Sequence, residues 1–388
     1  MTRQKTTDAS KHTITPFQSV AIIQLTVIGV GILSLPRAFA QAAGPDAIWS
    51  IFLSALIIWF LLAVIANLIR RFPHQSLEEY VPKILGSARD DRTGKVLGIP
   101  VLLAFAAVWL LGISTSARVF GEALLSAVFR NTPLEVVILT LIAGSAIAAG
   151  RAPGVIARLN GLVYPLTLVP WILLVIGLIQ KGEITNLLPL FQADWSAIGK
   201  GIMVGLFSFV GFEVTLVYGG YYQQPKKAFL AHSAAVAIIS LLYSLAFITT
   251  LSVFGVEELM QTIWPFVEVA KVITIPGAVF ERLESGIYAI WVATVYISMT
   301  NLFAALVHMI VNFFKLHDRY SKPLAWILVP IIFMIAMYPS NFQEVFEWSN
   351  RVGMAIFILA LTLPFLLLCI AGIRKKKGDE KDAPASSL

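Results

Sequence analysis

Two glycine clusters and one acid are the residues of this sequence best placed to hold a ligand. The first cluster reads Ile28-Gly29-Val30-Gly31-Ile32-Leu33-Ser34-Leu35-Pro36, the second Phe207-Ser208-Phe209-Val210-Gly211-Phe212-Glu213. Glycine tolerates unwound backbone and lets a ligand approach the chain closely. A half-helix starting after Gly31 would aim unpaired N–H groups, with roughly half a positive charge, at such a ligand, which suits a carboxylate. Carbonyls ending the opposing half-helix suit an ammonium or a cation. Taken singly, glycines in apolar helices also mark close helix packing.

Glu213 stands in an otherwise apolar segment. Such an acid is a structural clasp satisfied by backbone groups, a partner for a ligand ammonium, or a proton-sensitive gate. Arg118 and Glu122 lie four apart on one helix face, close enough to pair, and read as structural. Thr294, Tyr296, Ser298 and Thr300 put hydroxyls on more than one face of a helix, with Tyr296 and Thr300 sharing a face. Hydroxyls in membrane helices also bond their own carbonyls. His308 reads as an interhelical hydrogen-bonding residue, while His12, His74, His232 and His317 fall near ends or loops without metal-ligand spacing. No Walker loop, His-Glu-x-x-His motif or cysteine pair occurs, and the single Cys369 reads as a small apolar core residue. The expectation is therefore no enzyme: no catalytic residue, no metal and no cofactor.

The elements that must position these residues are membrane spans. Of 388 residues, 58% are hydrophobic and 13% charged. A soluble chain carries about 25% charged residues, so this composition fits lipid as the main solvent. Apolar runs cover 17–35, 47–69, 97–129, 134–149, 160–180, 201–222, 231–254, 286–314, 324–338 and 353–373. The fold class expected is all-α, a polytopic membrane protein of about ten transmembrane helices. With the amino terminus inside, 21 of the 29 Lys and Arg residues fall on inside segments and 7 on outside ones, with Arg118 within a span. That bias places both termini in the cytosol. The net charge of +7 does not indicate nucleic acid, because the basic residues sit between the apolar runs. Residues 1–14 read as a cytosolic tail, 15–373 as one integral-membrane domain, and 374–388 as a basic, disordered cytosolic tail whose Arg374-Lys375-Lys376-Lys377 can rest on anionic lipid. The long outward loop 255–285 carries Ile263, Phe266, Val267 and Ala270 near helical spacing, and reads as a short amphipathic helix over the pore mouth.

The glycine clusters fall on the first and sixth runs, the same place in each half of a five-plus-five arrangement. Interrupted spans at matching positions point to the site of an inverted-repeat transporter. Gly29-Val30-Gly31-Ile32 and Phe207 through Glu213 resemble the first- and sixth-helix motifs of the amino acid–polyamine–organocation permeases. Thr15-Pro16-Phe17-Gln18, Pro36-Arg37, Trp264-Pro265, Lys271, Ile275-Pro276-Gly277, Phe280-Glu281-Arg282-Leu283-Glu284-Ser285 and Ile290-Trp291 narrow the likeness. Over about residues 13–373 the chain resembles the B-subunit family of spore germinant receptors (GerAB-like).

The resemblance implies a LeuT-type 5+5 inverted repeat with broken helices 1 and 6, in the inner membrane of a bacterial spore. It implies germinant receptor A and C subunits as partners, and a small-molecule germinant, an amino acid foremost. The ligand-binding residues expected are Gly29, Val30, Gly31, Phe207, Ser208, Gly211, Glu213, Tyr296 and Thr300. Two other readings stay open: a coupled amino acid transporter that completes alternating access, and a passive ion or water pathway.

Overall fold

The chain is described by a computed structural model over residues 13–29, 31–86, 91–127, 131–273 and 283–378. Val30, Arg130, Ile275-Pro276-Gly277 and Phe280 through Arg282 lie outside the described residues, as does most of each expected tail.

Regular structure here is helical. In chain order the α-helices are α1 (Pro16–Ile28), α2 (Leu35–Ala43), α3 (Ala47–Arg71), α4 (Leu77–Leu85), α5 (Asp91–Ala127), α6 (Leu134–Ala149), α7 (Pro153–Val163) and α8 (Leu168–Lys181). They continue with α9 (Trp195–Ser208), α10 (Thr215–Tyr218), α11 (Ala228–Gln261), α12 (Pro265–Val272), α13 (Leu283–Phe313), α14 (Ser321–Ala336) and α15 (Phe342–Ile373). Short 3-10 turns join several of them. Among the described residues the sole β-type pairing is an isolated parallel bridge between Ile14 and Tyr222. Helices lie on every apolar run of the sequence. Among the described residues seven helices are long and apolar enough to cross a membrane, eight when the bent pair formed by Trp195–Ser208 and Phe212–Tyr221 counts as one span. Pro16–Ile28 and Leu134–Ala149 are shorter apolar helices.

Backbone chemistry requires this architecture. In hydrocarbon each N–H and C=O must be satisfied within the protein, and a helix does so within its own segment. The chain starts α1 with a capping box: Thr15 accepts from Gln18 N, and the Gln18 side chain accepts from Thr15 N. The helices α1, α11 and α13 lie innermost, with α11 packed against α1, α2, α3 and α8, and α13 against α1, α5 and α6. Large apolar side chains on the outer faces, such as Leu56, Phe60, Ile172, Leu241 and Met334, stay exposed, as expected where lipid is the solvent.

Two details differ from the sequence reading and one adds to it. Cys369 is exposed on the outer face of α15 rather than in the core, because that face of a peripheral helix meets lipid. His232 is fully buried, with Nδ1 3.1 Å from the Leu62 carbonyl and Nε2 3.1 Å from the Tyr222 hydroxyl. The tail expected from residue 374 begins with a packed segment. Arg374 donates to the carbonyls of Ile84, Leu85 and Gly86, and Arg71 donates to those of Ala371 and Lys376. The bonds to Ile84, Leu85 and Ala371 satisfy carbonyls at helix ends, where the intrahelical ladder runs out.

Other expectations match the structure. Arg118 Nε and Glu122 Oε1 pair at 3.0 Å, and His308 Nε2 lies 2.8 Å from the Arg151 carbonyl. The loop helix is α12, which buries Phe266, Val267 and Ala270, while Ile263 falls before its start and is exposed. Phe266 meets Trp171 of α8 and Trp291 of α13 edge-on. At the same end, the buried Asp46 carboxylate accepts the N–H groups of Phe191, Gln192 and Ala193 at 2.6–2.8 Å.

Candidate functional site

The two glycine clusters produce two chain breaks that interlock. Helix α1 stops at Ile28 because Gly29 leaves helical geometry, with φ 5° and ψ −121°. A 3-10 turn at Gly31–Leu33 follows, and α2 starts at Leu35 with Pro36 in its first turn, where a missing N–H does no harm. Helix α9 stops at Ser208, and Gly211 takes φ +116°, a left-handed value that glycine adopts without a Cβ clash. Across this break the axis bends by 43°.

Contacts between the breaks are tight. A Cβ placed on Gly211 would lie 3.1 Å from Thr26 Cγ2 and 3.2 Å from the Thr26 carbonyl, so packing and backbone conformation both exclude a side chain there. A Cβ on Gly29 would lie 2.5 Å from Ser298 Oγ. Gly31 differs. It is exposed, and a Cβ there would meet only the Ser208 carbonyl, at 3.9 Å.

The last carbonyls of α1 lack an N–H partner one turn ahead, and side chains of other helices supply donors instead. Ser298 donates to Thr26 O at 2.8 Å and Trp291 Nε1 to Gly29 O at 3.3 Å. Tyr243 Oη, from α11, lies 2.8 Å from Ser208 O and 3.3 Å from Val27 O, so one hydroxyl spans both breaks. Below them, Asn301 Nδ2 donates to Thr26 Oγ1 at 2.8 Å and to Asn160 Oδ1 at 2.9 Å, while Asn160 Nδ2 returns a bond to Asn301 Oδ1 at 2.8 Å. The Tyr218 hydroxyl donates to Asn301 O at 3.1 Å. This buried amide network ties α1, α7, α10 and α13 together.

Glu213 is wholly buried and both of its oxygens are engaged. Oε2 accepts from Gly211 N at 2.8 Å and Oε1 from Trp109 Nε1 at 3.3 Å. That is the geometry of a clasp closing the second break onto α5.

A cavity of about 410 Å³ lies beside the first break, walled by Leu33, Phe120, Phe254, Glu258, Trp264 and Trp291 among others. Lys271 and Glu268, paired at 2.7 Å, also line it. Trp291 belongs both to the cavity wall and to the hydrogen bond on Gly29. The chamber thus combines five aromatic side chains with aliphatic ones and with the charges of Glu258, Glu268 and Lys271, the composition of a small-molecule site.

Of the residues expected at a ligand site, the fold gathers Gly29, Gly31, Ser208, Gly211 and Glu213 at the breaks. Val30 lies outside the described residues. Phe207 turns toward α15, with its ring 6.4 Å from that of Phe357 and its side chain against Gly353. Tyr296 turns toward α6, where its hydroxyl donates to Gly144 O at 3.0 Å. Thr300, one turn on from it, is fully buried. The other face of α13 meets α1, through Ser298 and through Thr294, which lines a small cleft with Ile28 and Ile32. The sequence reading did not select Tyr243, Trp109, Asn160 or Asn301. Each had a signal: a polar atom within an apolar run must find a partner on another helix.

Comparison with known proteins follows the same line. The family described as spore germination protein matches residues 13–345. Spore germination protein B2 of Bacillus subtilis (strain 168) is 26% identical over 373 residues, covering 95% of this chain and 98% of that protein. Spore germination protein YndE of the same organism is 28% identical over 370 residues, covering 94% and 97%. Among solved structures, MhsT in complex with L-phenylalanine superposes with a TM-score of 0.60 at 16% identity, covering 91% of this chain and 88% of that one. At that identity the likeness is one of fold, the LeuT-type fold.

Proposed function

Since the chain belongs to the spore germination protein family, we propose that it is the permease-like membrane subunit of a germinant receptor, binding an amino acid where its two interrupted helices meet. In this reading the chain crosses the membrane ten times, with α1–α2 and α9–α10 as bent spans and both termini in the cytosol of the spore. Receptor A and C subunits are its partners.

The observation that carries the reading is the junction at Gly29, Gly31 and Ser208 beside an aromatic chamber. An amino acid entering from the chamber presents its carboxylate to the N–H groups that open α2. Its ammonium competes for the carbonyls of Gly29 and Ser208, which Trp291 and Tyr243 now hold. Binding therefore releases Tyr243 of α11 and Trp291 of α13 from the breaks, so occupancy favours a second arrangement of the bundle that partner subunits sense. Glu213 serves as the clasp that keeps the second break formed.

A transporter reading has one observation in its favour, the fold shared with MhsT. Proteoliposomes holding the full-length protein separate the two. Radiolabelled L-amino acids, L-phenylalanine among them, are offered, and binding and uptake are measured together. Saturable binding without net uptake supports the receptor, net uptake supports the transporter, and a panel with no binder overturns the ligand site.

A further inference from the structure

A second buried acid lies far from the breaks, at the end of the bundle where Ile14 and Arg374 pack. Helix α4 lies outside the apolar spans, between α3 and α5. Ser76 caps it, with Glu79 Oε2 accepting from Ser76 N at 2.9 Å. Leu77, Tyr80, Val81 and Ile84 bury its inner face. Glu78 is on that face too, only 3% exposed. Its Oε1 accepts from Asn312 Nδ2 at 2.7 Å, and the same nitrogen donates to Tyr221 Oη at 2.8 Å. Asn312 ends α13 and Tyr221 ends the segment after α10, so this cluster joins α4 to the inner ends of both site-bearing helices. Glu78 Oε2 and the Tyr80 hydroxyl are both buried and make no hydrogen bond to any described residue.

A charged carboxylate needs strong partners on both oxygens when it is removed from water. Here one neutral amide serves one oxygen. A neutral carboxylic acid fits better, since keeping it out of water costs far less than keeping a carboxylate there. We propose that Glu78 is a proton-binding site: with its proton on, α4 stays latched to Asn312 and Tyr221, and with its proton off, α4 is released.

Burial, the largest influence, pushes the Glu78 carboxyl up from its ordinary value to about 8. The Asn312 hydrogen bond and the polar groups of its own backbone and of Ser76 nearby pull it down, and the Glu79 charge pushes it up further. Other titratable groups on the surrounding elements are Tyr80 and Lys83 on α4, Arg92 and Lys95 on α5, His308 on α13, Tyr221, and Arg374 after α15. Arg374 is committed to the carbonyls ending α4, and none of these cations is among the influences on Glu78. The buried acid holds its proton more tightly than a released, hydrated one. Latching is therefore fully supported below the ordinary carboxyl value and weakens as pH rises toward about 8, by up to about tenfold per pH unit in between.

The test uses full-length protein in lipid with Cys369→Ser and Ile84→Cys, a buried position on α4. Maleimide labelling is timed from about pH 5 to about pH 9. Each rate is divided by that of the same protein also carrying Glu78→Gln, which cancels the thiol's own titration. The expected ratio climbs with pH and levels off near the Glu78 value. A flat ratio overturns the proposal. Infrared spectra of the protein without Glu78→Gln stand independently of that variant's folding. A protonated carboxyl band that vanishes over the same range is expected, and carboxylate absorption alone across the whole range overturns the proposal.

Discussion

Gly29 sits so close to Ser298 that a Cβ on the glycine would lie 2.5 Å from the serine Oγ and 3.0 Å from its Cβ. The contact places α13 directly against the first break. Gly29→Ala is expected to destabilise the protein by about 1–3 kcal/mol, as overpacking does. Ser298→Gly in the same chain should recover part of that loss. Thermal unfolding of the two variants and the double variant checks this. Equal melting of Gly29→Ala and the parent would show that the helices separate freely at this point.

Gly31→Leu is expected to behave differently. The Cβ itself has room, and the remaining side chain occupies the open space beside the Ser208 carbonyl. The variant should insert and melt almost as the parent does, yet lose amino acid binding. Normal binding in it sinks the proposed ligand position.

Tyr243→Phe removes the one hydroxyl shared by Val27 and Ser208. Each lost bond costs about 0.5–1.5 kcal/mol, so a modest drop in melting temperature is expected. The variant also lacks a competitor for the Ser208 carbonyl. Its apparent affinity should rise, by up to about tenfold if the freed arrangement becomes that much easier to reach. Weaker binding would contradict ligand displacement of Tyr243.

Glu213→Gln keeps the shape and removes one acceptor. An amide oxygen can still receive Gly211 N–H, but its NH2 group then faces the Trp109 N–H, donor against donor. The expected loss is about 1–3 kcal/mol of stability, read as lower abundance by immunoblot. The germinant dose-response of the protein that remains should be unchanged. A shifted dose-response at normal abundance would make Glu213 a ligand partner instead.

Topology is checked in a Cys369→Ser background with Lys226→Cys and Thr185→Cys, both exposed positions. An impermeant maleimide applied from the cytosolic side should label only the first, and from the outer side only the second. The reverse pattern inverts the proposed orientation.

Helix positions were legible in the sequence because lipid imposes long apolar runs and water reclaims their ends. The breaks were legible because glycine and proline are costly inside a helix unless the chain needs them there, as at Gly211. The partners of the breaks were not. Whether α13 offers Ser298 or Tyr296 to α1 depends on the rotation of one helix about its axis, and a run apolar on all sides leaves that rotation unspecified. Hence Tyr296, chosen for its hydroxyl, faces Gly144, whereas Trp291 reaches the Gly29 carbonyl. The buried amides Asn160 and Asn301 stand 141 positions apart, a pairing that only the folded chain reveals.

Asp46 has a mechanical consequence. Its carboxylate stands at the elbow between α2 and α3 and grips three successive N–H groups just ahead of α9. Two glycines of α9 lie flush on α3, Gly201 against Ser50 and Gly205 against Ser54. Cross-braced in this way, α2 and α9 form one lever arm whose fulcrums are the two glycine breaks. A displacement of the Asp46 elbow would then reach Gly29 and Gly211 together as a single torque.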